Sequence, residues 1–294
     1  MIGPIFYPRR RRPPSAVARP PRFERRVKAP IGWLVERLTA PLGRWEREDL
    51  RTPDVPVSIP GLHPALAGYR IALVTDLHNG PAVPRWWLER AVERVTALAP
   101  DLIALGGDFV SHARTDLNGL EAVLAPLRAP DGVVAVLGNH DHWVGPELVA
   151  DIVRRAGAEV LLNRHRVIQR GAALLVVAGV DDLAHGAVRV ADALAGVAAS
   201  TPVVLLSHNP DLVEYLPPGV RVDLMLSGHT HNGQLHWPLI GPLTVPSQFG
   251  RRYLHGLHHV CDTWLYVSAG VGSGAIPIRW GNPPELPVLR LVAA

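Results

Sequence analysis

The side chains best suited to chemistry are Asp76 and His78, Asp108, Asn139 with His140, His208, and the pair His229 and His231. Imidazole is the commonest neutral metal ligand, and carboxylates and amides add hard oxygen donors. His-x-His on a turn, taken alone, is more often a solvated pair than a ligand pair. Placement gives the set its meaning. Each group follows a short apolar run that reads as a buried strand, namely 70–75, 101–105, 132–137, 203–207 and 222–227. Ligands of open α/β sheets gather beyond the carboxyl ends of their strands. One aspartate at a strand end is often only a helix N-cap. Five strand ends in succession, all offering matched nitrogen and oxygen donors, are hard to obtain as a by-product of folding.

The elements that must position these residues alternate in type. Pro84 opens a helix whose apolar face is Leu88, Ala91, Val92, Val95 and Leu98; a second helix is expected over 116–125, and a third from Pro146 to near Gly157. Strands separated by helices imply parallel pairing with helical crossovers. After Gly157 the texture changes to apolar strands at 173–180, 203–207, 222–227, 234–237, 263–268 and 286–292, joined by Gly/Pro-rich links. That half predicts a second sheet packed on the first. No internal repeat is present.

Composition narrows the chemistry. A single cysteine, Cys261, excludes an intrachain disulfide and any thiolate-based zinc site. Charge is uneven: residues 1–52 hold 13 Lys and Arg against 5 Asp and Glu, whereas the remainder holds 17 against 21. The basic character therefore belongs to an N-terminal arm (1–52) and not to the body (53–294), which argues against a nucleic-acid-binding surface. Arg9 to Arg12 are followed by prolines and no apolar run of signal length, so neither a secretory signal nor a transmembrane helix is expected. Within the arm, segment 31–45 places Ile31, Leu34, Val35, Leu38 and Leu42 at helical spacing, interrupted by Pro41. It reads either as a helix lying on an anionic membrane surface or as an amphipathic helix packed on the body. The expected location is cytoplasmic and, on the first of these readings, peripheral on the inner face of a membrane.

Asp-x-His, Gly-Asp, Gly-Asn-His-Asp, His and Gly-His-Thr-His, in that order, resemble the calcineurin-like metallophosphoesterases over roughly 69–292. Gly250-Arg251-Arg252-Tyr253, Tyr266-Val267-Ser268 and Pro283-Pro284-Glu285 look most like a bacterial, membrane-associated branch. That branch is similar to enzymes that cleave UDP-2,3-diacylglucosamine. The resemblance implies an α/β fold, a four-layer α/β/β/α sandwich of two packed mixed sheets with helices outside. It also implies two divalent ions, manganese first with iron or zinc as alternatives. Asp76, His78 and His231 would hold one, Asn139, His208 and His229 the other, with Asp108 between them. Such a pair, roughly 3.5–4 Å apart, generates a bridging hydroxide that attacks phosphorus in line. His140 would stand beside the leaving group as an acid or a charged stabiliser, unless it only hydrogen-bonds a ligand, and Asp141 would fix its tautomer, cap the following helix, or do both.

Other positions carry weaker expectations. His142, Trp143, His236, Arg251, Arg252 and Tyr253 are candidates to line a substrate groove, and Asp181-Asp182 is either a substrate-facing pair or a turn. His255, His258 and His259 form a loop cluster without a role. Asn232 stands where a glycine often follows the His-x-His, and Ala269 where an arginine is common. The expected partner is a phosphorylated small molecule or a lipid-linked substrate. Competing readings are a serine/threonine protein phosphatase and a non-catalytic scaffold; a scaffold would be expected to lack ligands or His140, and this chain has all of them.

Overall fold

Alternation along the 70–74 strand shows how the layers arise. Ile71 and Leu73 enter one apolar core while Ala72 and Val74 enter another, because successive side chains of a strand point to opposite faces. The same division runs through Leu102–Leu105, whose Leu102 and Ala104 join the first core and Ile103 and Leu105 the second. In Val203–Leu206 and Leu224–Ser227, Val204, Leu206, Leu224 and Leu226 meet that first core from the far side, and Leu205 and Met225 turn to a third. Three apolar cores between four layers make the α/β/β/α sandwich that the family resemblance implies.

The computed structural model describes residues 49–237, 240–242, 244–274 and 278–294, with Ile5–Tyr7, Trp33, Leu34, Arg37 and Leu38 of the arm. The rest of the arm, including most of the amphipathic segment 31–45 and its Pro41, lies outside the described residues. Trp33, Leu34, Arg37 and Leu38 are helical, and Leu34 and Leu38 are exposed.

One sheet runs in the spatial order Asp54–Ile59, Val288–Ala293, Arg70–Val74, Leu102–Leu105, Val133–Ala135, Glu159–Val160. Its 70–74, 102–105 and 133–135 strands are parallel, with Ile71 opposite Leu102 and Ile103 opposite Val133. The other sheet runs Ile5–Tyr7, Gly256–Val260, Thr263–Val267, Leu224–Ser227, Val203–Leu206, Ala173–Gly179, Arg164–Arg170. Helices Arg85–Ala97, Leu120–Leu124 and Pro146–Arg155 cover the outer face of the first sheet. The second is covered more thinly, by Val190–Ala193 and the 3-10 turn Pro210–Tyr215.

Three departures from the expected elements have local causes. The helix expected over 116–125 is a 3-10 turn, Arg114–Leu117, then a helix at Leu120–Leu124, because Gly119 between them is left-handed (φ 75°). The Arg164–Arg170 edge strand was not expected, since five of its seven residues are polar and an edge needs little apolar surface. The strand expected over 234–237 is reduced to His236–Trp237, because Asn232, Gly233 and Gln234 all have positive φ. It pairs with Gly241–Pro242 in a ribbon outside both sheets.

Candidate metal centre

Three of the five donor loops leave their strands through a backbone that L-residues rarely adopt. Asp76, His78, Asp108, His229 and His231 all have φ between 47° and 70°. A left-handed residue costs about 1–3 kcal/mol and persists only where its surroundings over-determine it. Here the turns swing the side chains into the crevice above both sheets. Backbone approach is equally tight: a Cβ at Gly228 would fall on Asp76 Oδ2, and one at Gly138 would fall on Asp108 Oδ1.

The expected donors converge as two clusters. In one, His78 Nε2 lies 3.0 Å from His231 Nε2. Asp76 Oδ1 is 3.4 Å from His231 Nε2 and 4.0 Å from His78 Nε2. In the other, His229 Nδ1 lies 3.2 Å from His208 Nε2. Asp108 Oδ2 reaches both clusters, 3.2 Å from His208 Nε2 and 3.6 Å from His78 Nε2. His208 Nδ1 donates to the Gly106 carbonyl at 2.8 Å, which leaves Nε2 facing Asp108. Asn139 is buried on the turn after Gly138, and its Oδ1 has no hydrogen-bond partner among the described residues.

Burial and mutual charge set the protonation of this group. Burial, reinforced by Asp108 against the pull of His208, pushes Asp76 up to about 6. Burial opposes ionisation of Asp108 too, yet the surrounding His208, His140 and His78 hold it well below the carboxylate range. Burial alone would lower His208, but the Asp108 carboxylate carries it up to about 10. Burial pushes His229 down to about 4, and pushes His78 and His231 well below the usual imidazole range.

Each cluster gathers two ring nitrogens and a carboxylate oxygen within 4.8 Å of one another, and both imidazoles of the first are held neutral. That observation, with the unpartnered Asn139 Oδ1 and the sulfur-free donor set, fits these residues to two divalent ions.

His140 belongs to neither of these two clusters, although one of its ring nitrogens lies within 4.8 Å of donor atoms of His78 and Asp108. Its backbone N–H donates to Asp108 Oδ1 at 2.9 Å, and its ring meets His78 edge-on at 4.7 Å between centroids. Burial lowers it to about 4. Its Nδ1 donates to the Ser111 carbonyl, and this corrects the expectation for Asp141. Asp141 does not orient the His140 ring. Its carboxylate accepts from the backbone N–H groups of Gly138, Asp108 and Phe109 at 2.8–2.9 Å and of Val110 at 3.3 Å. It therefore pins the Asp108 loop to the start of the Asn139–Val144 helix, a structural role that the cap reading anticipated in part. Burial pushes Asp141 up to about 7.

Of the groove candidates, Arg252 and Tyr253 are corrected. Arg252 pairs with buried Glu214 at 3.0 Å, and fully buried Tyr253 donates to the same carboxylate. His142 is half-buried against Asp181 at 2.8 Å, so Asp181 faces a histidine and not the centre. Asp182 makes a turn, accepting from the N–H of Ala184 and His185. Arg251 is exposed and donates to the Pro242 carbonyl of the ribbon. The 255–259 cluster is not a loop: Gly256–Val260 is a strand, and His255 bonds buried Glu285.

Sequence reasoning missed two neighbours of the site. His112 packs edge-on against His140 at 4.7 Å, with Trp143 4.1 Å from His140 and held by His185 Nε2. Arg279 is 1% exposed, donates to the carbonyls of Ala269, Gly270 and Gly272, and lies 3.4 Å from His231 Nδ1. The departure at Ala269 was the available signal, since the guanidinium of Arg279 covers that residue's carbonyl.

The calcineurin-like phosphoesterase family model matches residues 69–233. The phosphodiesterase YaeI of Escherichia coli (strain K12) is 35% identical over 230 residues, covering 77% of this chain and 83% of that protein. A Danio rerio transmembrane protein with metallophosphoesterase domain is 32% identical over 247 residues, covering 79% of this chain. A Helicobacter pylori metallophosphoesterase is 31% identical over 229 residues, covering 76% of this chain. The chain spans 55% and 60% of the lengths of these last two.

Proposed function

The chain belongs to the calcineurin-like phosphoesterases and is a metal-dependent phosphoester hydrolase, and on that premise we propose that it cleaves a diester or pyrophosphate bond in a lipid-linked or nucleotide substrate, of the kind UDP-2,3-diacylglucosamine exemplifies. The observation that carries the site assignment is the sharing of Asp108 by two donor clusters. Asp76, His78 and His231 would hold one cation and Asn139, His208 and His229 the other, with Asp108 shared by the two clusters. Manganese is the first choice, with iron or zinc as alternatives, because a nitrogen and oxygen set discriminates weakly among them. When bound, such a pair supplies Lewis acidity to the phosphoryl oxygens and makes water acidic enough to ionise near neutral pH.

The protein's own groups do the rest. Asp108 carries the charge that lets two cations sit close together. Asp141 fixes the loop bearing Asp108 through its backbone bonds. His140, with Nδ1 committed to Ser111, presents Nε2 to the leaving-group oxygen and transfers or shares a proton there. A phosphate ester beside the ring favours the imidazolium that this step requires.

Among the described residues no helix is long and apolar enough to cross a membrane. The basic arm and the exposed Leu34 and Leu38 support a peripheral position on the inner membrane face. Replacing Arg9, Arg10, Arg11 and Arg12 by glutamine, which spares the Ile5–Tyr7 strand, should leave hydrolysis of a soluble substrate nearly unchanged and weaken binding to anionic liposomes, more so at low salt. Equal sedimentation of the two forms would remove the arm from the membrane reading. The substrate class is tested by a hydrolysis panel with added manganese, containing monoesters, diesters and a UDP-lipid. Turnover confined to monoesters or phosphoproteins would overturn the diester and pyrophosphate reading.

A further inference from the structure

Just beyond His231 the chain gathers large apolar side chains on its surface. Trp237 is 60% exposed, Ile240 57% and Trp280 55%. Single exposed apolar residues are ordinary, but a group of them on one small element marks an interaction site. Trp237 and Ile240 belong to one ribbon, and Trp280 lies on the segment bridged to its base at Leu235. His236–Trp237 pairs with Gly241–Pro242, and the Ile240 N–H closes the turn onto the Trp237 carbonyl at 3.2 Å. Trp280 bridges Leu235 in parallel, so those two side chains share a face, and Trp237, two residues further along, returns to it. The intervening sequence is also apolar, Trp237-Pro238-Leu239-Ile240.

The ribbon is fastened to the metal centre. Gln234 accepts from the Gly274 N–H and donates to the Ile278 carbonyl, while the His231 carbonyl accepts from Asn282. Backbone bonds join Gln234 and His236 to Trp280 at 3.1 and 2.8 Å. Six residues of chain span at most about 20 Å, so Trp237 lies within that distance of His231. Exposed Arg251 stands at the foot of the ribbon, with its guanidinium on the Pro242 carbonyl at 2.9 Å.

We propose that this ribbon is a docking wedge for an anionic lipid bilayer, seating the metal centre at the headgroup level. The inference rests on the reading of the site as one for lipid-linked phosphoesters. Two indoles and an isoleucine with a guanidinium beside them match the bilayer interface. There, tryptophan rings occupy the boundary, the aliphatic group enters the acyl region and the arginine meets lipid phosphate. Arg251 distinguishes this occupant from a second copy of the chain, because a two-fold contact through the patch would bring two such charges together. A membrane with anionic headgroups complements both this arginine and the basic arm.

The test uses the full chain with its metals, because the arm is present in every sample and cancels between variants. In co-sedimentation with vesicles of phosphatidylcholine and phosphatidylglycerol, the double variant Trp237→Ser/Ile240→Ser should bind about tenfold or more weakly, from the apolar area lost. Arg251→Gln should bind about fivefold more weakly at low salt and be nearly normal at high salt. Vesicles of brominated lipid should quench wild-type tryptophan emission more than that of Trp237→Phe/Trp280→Phe, a readout that the arm does not supply at those positions. The Trp237→Ser/Ile240→Ser and Trp237→Phe/Trp280→Phe variants should hydrolyse a soluble nitrophenyl diester at the wild-type rate. Equal sedimentation and equal quenching across the variants would overturn the wedge, as would a concentration-dependent dimer that the double variant dissolves. A wild type that is quenched through the ribbon yet cleaves no diester or pyrophosphate would sink the substrate reading and leave the wedge standing.

Discussion

In the half of the centre built from Asp76, His78 and His231, burial holds both imidazoles neutral and their Nε2 atoms face each other at 3.0 Å. In the half built from His208 and His229, the ring nitrogens face each other at 3.2 Å, but His208 is carried up to about 10 by Asp108. The donors are alike and their electrostatic condition is opposite. In the first half the His231 Nδ1 faces the Arg279 guanidinium, so that ring's N–H lies on Nε2 and can donate to His78 Nε2, and the two rings together carry no net charge. The second contains its own positive charge, an imidazolium beside the shared carboxylate. A cation entering the second half must therefore release a proton from His208, whereas one entering the first meets neutral imidazoles that need only shift tautomer.

Asp108 joins the halves, so its removal should have the largest effect. Asp108→Asn keeps the shape and removes the charge that both clusters use. Elemental analysis should fall from two metals per chain to one or none, and hydrolysis should vanish, as it should for wild type treated with a chelator. His229→Ala should lower metal content as well, through loss of a ligand. A fully active Asp108→Asn enzyme with two metals would break the comparison, because the halves would then not be coupled through this residue.

Much of this centre is legible in the sequence because its logic is local. A run such as Leu102–Leu105 must be a buried strand, and the next few residues must emerge at the sheet's carboxyl end. Asp76, Asp108, His208, His229 and His231 could be placed that way without knowledge of the sheet order. Partners that arrive from a distant part of the chain leave no such trace. Arg279 reaches His231 across 48 positions, and Asp141 meets Asp108 through backbone N–H groups that no side-chain pattern reports. Polar edge strands such as Arg164–Arg170 are invisible for a related reason, since only a central strand is compelled to be apolar. Left-handed residues are equally silent. Asn232 and Gln234 turn the chain out into the ribbon, yet neither is a residue whose type demands positive φ.

His140 touches both halves, which makes it the next way to sharpen the contrast. Its N–H bonds Asp108, and its ring lies edge-on to His78. As an acid and not a ligand, it should be removable without loss of either metal. His140→Ala should retain two metals and lose about 10²–10⁴ in kcat for a poor leaving group. The loss should shrink for nitrophenolate, which departs without a proton. A metal count that drops, or equal slowing of good and poor leaving groups, would reassign His140 to the coordination set.

The smallest expected effect bears on the electrostatic difference itself and is read in the stability of the metal-free protein. His208 has its folded pKa raised from 6.5 to about 10, so its contribution is fully present below about 6.5 and is lost as pH rises through 10. His229 has its folded pKa lowered from 6.5 to about 4. Its contribution is present above 6.5 and is lost as pH falls toward 4, where the unfolded chain already holds a proton that the folded chain refuses. Each can be isolated by subtraction in thermal melts of chelator-treated protein. The Tm advantage of wild type over His208→Gln should narrow by several degrees between pH 6.5 and 10 and hold steady below that window. The advantage over His229→Gln should narrow between pH 6.5 and 4 and hold steady above it. Parallel pH dependence for the two variants would mean that the halves are electrostatically equivalent, and the expectation that His208 must surrender a proton to a metal would fall with it.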